Sequence, residues 1–260
     1  MRLVLVVFVA AVSGGMNSIA GGGTLLTFPA LIALGIPPIV ANATSTVALW
    51  PGAVGSMWGY RRELEGARAW ATAFALPSLA GGLLGALLLL RTPPERFAQI
   101  VPWLVLGATG LFLLQAPVMS AVRRRRVARG LQAPDDATLT ARRPPTSILL
   151  YQALVAIYGG YFGAGVGILM LAALGLMGLT NIHRMNGLKN WGGLCMNLVA
   201  AITFAASGLV DWPVGLAMAL GAAVGGYLGS RAAQRVPQQV VRSLIGVIGL
   251  GSGLWMLLKR

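Results

Sequence analysis

Asn17-Ser18-Ile19-Ala20-Gly21-Gly22-Gly23-Thr24 interrupts an apolar run that starts at Leu3 and closes on Gly35-Ile36-Pro37-Pro38. Before the interruption, residues 3–20 read as an apolar helix. After it, 24–35 is apolar again but too short to cross a bilayer, since a span needs roughly 20 residues at about 1.5 Å each. A glycine triplet opposes helix continuation, so the pair reads as a helix and a half-helix joined by a turn. No A-x-A-like site follows residues 3–12, and this opening run reads as a first membrane segment rather than a cleaved signal.

The rest of the chain has the same character. Of 260 residues, 57% are hydrophobic and 10% charged, with 36 Gly, and the mean hydropathy is +0.77. A soluble domain carries about 25% charged residues, so an integral membrane protein is expected. Long apolar runs imply helices, because a barrel would show short alternating strands. The excess of 20 Lys and Arg over 6 Asp and Glu, formally +14, is what cytoplasmic loops and anionic headgroups account for, and nucleic acid is not an expected partner. Cys195 is alone, so it forms no intramolecular disulfide and reads as a small packing residue.

An offset of 144 positions brings the two ends of the chain into register. Gly15, Ala20, Gly21, Gly23 and Leu25 fall on Gly159, Ala164, Gly165, Gly167 and Leu169, and Asn42 falls on Asn186. Gly81, Gly82 and Gly85 fall on Gly225, Gly226 and Gly229, Arg91 and Pro93 on Arg235 and Pro237, and Gly107 on Gly251. One glycine match means nothing in a Gly-rich chain, whereas a single offset that also aligns Asn, Arg and Pro points to duplication. The expected domains are a repeat over 1–116, a basic linker over 117–144 and a second repeat over 145–260. Apolar runs are expected at 39–60, 67–90 and 97–115, then at 147–162, 165–178, 183–208, 212–230 and 238–258.

The linker carries Arg123 to Arg126, Arg129, Arg142 and Arg143 against Asp135 and Asp136, which reads as a cytoplasmic loop. Arg61, Arg62, Arg68, Arg184, Arg231 and Arg235 then fall inside, while Arg91 and Arg96 fall outside and oppose the scheme. If each helix/half-helix pair is re-entrant, the repeats are inverted and both termini are periplasmic. If each pair crosses once, the repeats are parallel and the termini cytoplasmic, as Lys259-Arg260 favours. The loops of the second half favour inversion, the reading adopted here.

Polar residues within the expected spans are few. Asn17 adjoins the first break, and Asn42, Thr44, Ser45 and Thr46 open the next helix; Asn186, Lys189 and Asn190 match them in the second half, with Asn197 further on. Lysine inside a bilayer costs roughly 2.5–3.5 kcal/mol on insertion scales and therefore faces a cavity or partner, although snorkelling to the interface stays open for Lys189 at about 9 Å of depth. None of the six acids falls within a span, which disfavours cation transport and carboxylate proton relays. The single His183 gives no metal cluster and no triad, so no cofactor, metal or catalytic residue is expected. Glycines at a break admit close backbone approach, and a helix N-terminus favours an anion. Gly81-Gly82-Leu83-Leu84-Gly85 and its counterpart at 225–229 read instead as packing surfaces.

The motif over residues 17–24, with Pro29, Asn42-Ala43-Thr44-Ser45 and the second Gly163-Ala164-Gly165-Val166-Gly167, resembles the sulfite exporter TauE/SafE family. The resemblance implies an inner-membrane carrier of about eight spans in two similar halves, moving sulfite, sulfoacetate or other small organosulfur anions. Val166 and Ile168 replace the Gly22 and Thr24 of the first motif, so equal roles for the two breaks are not implied.

The resulting expectation is an all-α polytopic protein of two repeats, working as a secondary transporter of a small oxyanion by alternating access at the two breaks. Its site is expected to comprise Asn17, Gly21, Gly22, Gly23, Thr24, Asn42, Thr44 and Ser45 from one half, and Gly165, Gly167, Asn186, Lys189, Asn190 and Asn197 from the other. The expected partners are a small anion and the lipid bilayer, with a homo-oligomer left open. An anion channel, a carrier of a non-sulfur carboxylate and an intramembrane enzyme are the alternatives, the last opposed by the lack of clustered acids and histidines.

Overall fold

Proline and glycine set the boundaries of the helices. The computed structural model describes residues 2–19, 21–128, 135–232 and 238–258, and these form α1 (Arg2–Ile19), α2 (Thr24–Ala33), α3 (Pro38–Gly59), α4 (Arg61–Glu65), α5 (Arg68–Arg91), α6 (Pro94–Ala128), α7 (Asp136–Ala141), α8 (Thr146–Tyr161), α9 (Val166–Met177), α10 (Ile182–Ala206), α11 (Trp212–Ala232) and α12 (Gln238–Leu258). Among the described residues there is no strand. Pro38 opens α3, where its fixed φ and missing N–H cost nothing. Asn181 caps α10, its Oδ1 accepting from the amides of His183 at 2.9 Å and Arg184 at 3.2 Å.

This is a multi-pass membrane protein. Arg68–Arg91, Pro94–Leu114 and Trp212–Arg231 are long and apolar enough to cross a bilayer. Helices α3 and α10 are as long, at 22 and 25 residues, but bury several polar side chains each, among them Asn42, Thr44, Ser45, Asn186 and Lys189. Large apolar residues such as Phe8, Trp103 and Leu228 are exposed, as on a surface solvated by lipid. The half-helices α2 and α9 have 10 and 12 residues.

The first residues of α8, α10, α11 and α12 follow those of α1, α3, α5 and α6 by 144 positions in every case. Packing crosses between these sets. Helix α11 lies against both α1 and α3, and α5 lies against both α8 and α10. Small residues make these approaches close. Gly221, Gly225 and Gly229 of α11 meet Val7, Ala11 and Gly15 of α1 in turn, and Gly52 and Gly59 of α3 meet Ala222 and Ser230. Gly81 and Gly85 of α5 meet Ala153 and Ile157 of α8, while Gly82 meets Met196 of α10. The helices in each of these pairs therefore run parallel. In contrast α6 and α12 run antiparallel, since Gly246, Gly249 and Gly253 meet Leu113, Thr109 and Leu106.

The stretch 117–144 differs from the expected loop. Helix α6 continues through Pro117 and the Arg123–Arg126 run to Ala128, because Ala and Arg are strong helix formers and outweigh one tolerated proline. Asp135 then caps α7, accepting from the amides of Ala137 and Thr138 at 3.3 Å, which hold its carboxyl below the usual carboxylate range. Asp136 is buried and accepts from Thr180 N at 3.0 Å, Thr180 Oγ1 at 3.1 Å and Asn181 N at 2.7 Å. Trp70 Nε1 donates to Leu139 O at 3.3 Å, and Thr140 Oγ1 to Gly66 O at 2.9 Å. Helix α7 thus ties the start of α5 to the α9–α10 turn. Arg184 reaches the same place, donating to Thr140 Oγ1 at 3.2 Å, so Arg68, Arg142 and Arg184 share one end of the bundle while α5 carries Arg91 to the other. Arg129, Arg235, Pro237 and Lys259-Arg260 lie outside the described residues.

Candidate functional site

The two breaks meet. Gly21, with φ of +68°, turns the chain out of α1, and Gly165, with φ of +77°, turns it into α9. Both conformations are left-handed, which side chains oppose. The backbones of Gly21 and Gly167 touch, and a Cβ on Gly167 would stand 3.0 Å from the Cα of Gly21. Asn17 closes the first turn, its Oδ1 accepting from Gly22 N at 3.2 Å. Gly23 precedes α2 and packs on Ser13.

Around this contact lies a cavity of about 60 Å³, room for a few water molecules or one small anion. Of the expected site residues, Asn17, Gly21, Thr24, Gly167, Lys189, Asn190 and Asn197 line it. The N-terminal ends of α2 and α9 open into it, through Thr24 and through Val166 and Gly167, and such ends favour negative charge. Lys189 spans the two breaks, its Nζ donating to the main-chain oxygens of Asn17 at 3.0 Å and Ser18 at 3.3 Å. These are last-turn carbonyls of α1, the end of a helix that attracts a cation. Asn190 is buried, and its Nδ2 has no hydrogen-bond partner within the protein. Asn197 is less free, since its Nδ2 donates to Gly193 O at 2.9 Å. Among the described residues no acid lines the cavity.

The remaining expected residues stand elsewhere. Asn42 is fully buried and its Nδ2 donates to Tyr161 O at 3.0 Å, at the far end of α8. Thr44 Oγ1 accepts from Asp211 N at 2.9 Å, holding the start of α11. Ser45 Oγ pairs with Thr27 Oγ1 at 2.6 Å, joining α3 to α2. Asn186 is buried without a partner for its Oδ1 but does not line the cavity. Gly22, Gly23 and Gly165 shape the turns. These residues assemble the breaks rather than face the cavity.

Trp50, Thr46, Ser56 and Met170 are also among the lining residues. Trp50 closes one wall, its Nε1 donating to Leu194 O at 3.4 Å. A tryptophan in an apolar span carries no signal for such a place, except that Trp50 and Leu194 are themselves 144 positions apart. Two larger clefts, about 840 and 610 Å³, flank α12. The smaller of the two, beside the exposed Phe8, has an almost wholly apolar wall, whereas the larger, beside the exposed Trp103, also carries Gln99; neither is lined by a lysine or by the glycine breaks.

Comparison with known proteins agrees with a transporter. Residues 5–256 match the sequence model of a family described as Sulfite exporter TauE/SafE. A probable membrane transporter protein, ORF9, of Sinorhizobium sp is 30% identical over 260 residues, covering 98% of this chain and 93% of that protein. The probable membrane transporter protein YfcA of Escherichia coli K12 is 30% identical over 249 residues, 93% of this chain and 84% of its own length. A probable membrane transporter protein of Haemophilus influenzae is 27% identical over 253 residues, covering 95% and 91%. No solved structure gives a significant match. The match over nearly the whole length places this chain in the TauE/SafE sulfite exporter family of membrane transporters.

Proposed function

We propose that the protein is a secondary transporter of a small organosulfur oxyanion such as sulfite or a sulfonate, with its site where the two breaks meet. The observation that carries this reading is the cavity at Gly21 and Gly167, bordered by one lysine, an unpartnered amide donor and two helix N-termini, with no acid among its lining residues. Anions are held in this way where half-helices converge at mid-membrane. Its small volume favours a carrier that encloses one anion over a wide pore. The reading is transport, without catalysis or cofactor.

Inverted repeats accompany this proposal. The antiparallel run of α6 and α12, whose starts differ by the common 144 positions, is what an axis in the membrane plane would produce. The arginine-bearing end with α7 is then cytoplasmic by charge, in a bacterial inner membrane.

The test is thermal stabilisation of the purified protein by sulfite, thiosulfate, sulfoacetate and taurine, with a carboxylate as control. A ligand of the folded state adds about 2.7 kcal/mol at a hundredfold excess over Kd. Stabilisation by a sulfur oxyanion that vanishes in Lys189→Ala supports the site. Stabilisation by the carboxylate alone removes the sulfur assignment, and an unchanged response in Lys189→Ala removes Lys189 from the site.

A further inference from the structure

Among the described residues Lys189 has no anionic partner. The side chain is 3% exposed, and its Nζ meets two main-chain oxygens, of Asn17 and Ser18. Of the helices packed on α10, α5 carries only Arg68 and Arg91, at its two ends, and α8 carries no charged residue but three tyrosines, of which Tyr158 donates to Ala164 O at 2.8 Å beside the second break. Helix α1 carries only Arg2, at its far end, and α2, α3 and α9 carry no acid, histidine or basic residue. On α10 itself, His183 and Arg184 stand in the first turn, Arg184 reaching toward Thr140, and Cys195 follows nearly two turns after Lys189. From α4, Glu63 packs its stem against Gly187 and is absent from the cavity lining.

Two carbonyl acceptors satisfy both N–H groups of a neutral amine and leave its lone pair for the cavity; an ammonium has a third N–H to place. With an anion bound, that third N–H has its acceptor and the charge its partner. Once the anion leaves and the cavity closes, the same ammonium keeps only the partial charges of the two α1 carbonyls as compensation and is cut off from water, a costly state for a buried ion.

We propose that Lys189 carries the proton of a proton–anion symport. A proton from water joins the amine nitrogen as the anion enters, the ion pair is carried across, and on the far side the anion departs and the N–H proton returns to water. Only that N–H bond forms and breaks, and each cycle moves one proton with one anion, electroneutrally for a monovalent one. The proposal rests on the transport reading above.

The full chain is reconstituted in vesicles holding a lumenal pH dye, with the membrane potential clamped by potassium and valinomycin. Methanesulfonate and thiosulfate are the probes, since both are fully ionised near neutral pH and carry no proton themselves. The expected result is lumenal acidification as anion enters, and accumulation of about tenfold for methanesulfonate when the outside is more acidic by one pH unit. In Lys189→Arg the guanidinium keeps its proton, so whatever methanesulfonate still enters is expected to do so without lumenal acidification and without pH-driven accumulation. Retained pH-driven accumulation in that variant overturns the role of Lys189. Should the variant fail to fold, the wild type decides: anion entry without acidification and without response to the gradient overturns the coupling and leaves transport standing. Entry of neither probe into vesicles carrying folded protein overturns both.

Discussion

Gly21 and Gly167 touch through their backbones, so that a Cβ on Gly21 would stand 2.8 Å from the Cα of Gly167. The contact joins the two breaks directly, and it predicts different outcomes for two alanine substitutions. Gly21→Ala forces a side chain into a left-handed conformation as well as into Gly167, and a loss of about 1–3 kcal/mol is expected from strain alone. Gly167→Ala is helical and free of that strain, but its methyl would also stand 3.1 Å from Lys189 Cδ. The expected result is a smaller drop in Tm with loss of stabilisation by sulfite, read in paired melts with and without the anion.

Trp50 is expected to set the size of anion accepted. It lines the cavity from α3 and is only partly buried. Trp50→Ala should cost near the lower end of the roughly 3–5 kcal/mol typical of large aromatic truncations, and admit bulkier sulfonates. Competition between an arenesulfonate and sulfite measures this, and an unchanged preference would remove Trp50 from the lining that matters.

Thr44→Val should separate assembly from binding. The hydroxyl accepts from the Asp211 amide and does not line the cavity. Losing that acceptor is expected to cost about 1–3 kcal/mol of stability with anion affinity unchanged. Weaker anion binding at unaltered Tm would instead assign Thr44 to the site.

Asp136→Ala should loosen the α9–α10 turn. Its carboxylate is the acceptor for the amides of Thr180 and Asn181, and a hydrogen bond to a charged group contributes about 1.5–3 kcal/mol, less here because both residues are exposed and water can replace the acceptor. Faster hydrogen exchange at these two amides, with slower exchange retained in the cavity helices, is the expected pattern. Unchanged exchange at Thr180 and Asn181 would show that α7 does not hold the turn.

Apart from the far end of α6 and the short α4 and α7, helix positions were legible in the sequence to within a few residues, because glycine, proline and charge bound each apolar run. The partners of α5 and α11 were not. Both faces of a membrane helix are apolar, so hydropathy cannot say which one meets protein. The small-residue stripe 81–85 marks a packed face but not that α8 and α10 fill it. At the site, Asn17, Lys189 and Asn190 could be picked out as polar groups in apolar surroundings. Asn42, Thr44 and Ser45 give the same signal, and only tertiary contacts distinguish a side chain that bonds the protein's own backbone from one that faces a cavity. The continuation of α6 to Ala128 was hidden because an arginine run looks like a loop when charge is read before helix propensity.

The exchange of α5 and α11 between the two ends of the chain bears on how the protein is made. Helices α1 and α3 emerge from the ribosome some 150 residues before α11 begins, and chains fold from the N-terminus as they are synthesised. Until α11 arrives, the backbone-deep furrow along Ala11, Gly15 and Gly52 has only lipid or an insertion chaperone to cover it. Premature termination before Trp212 would therefore yield helices that insert but lack the neighbour that completes them, and such fragments become substrates for membrane quality control.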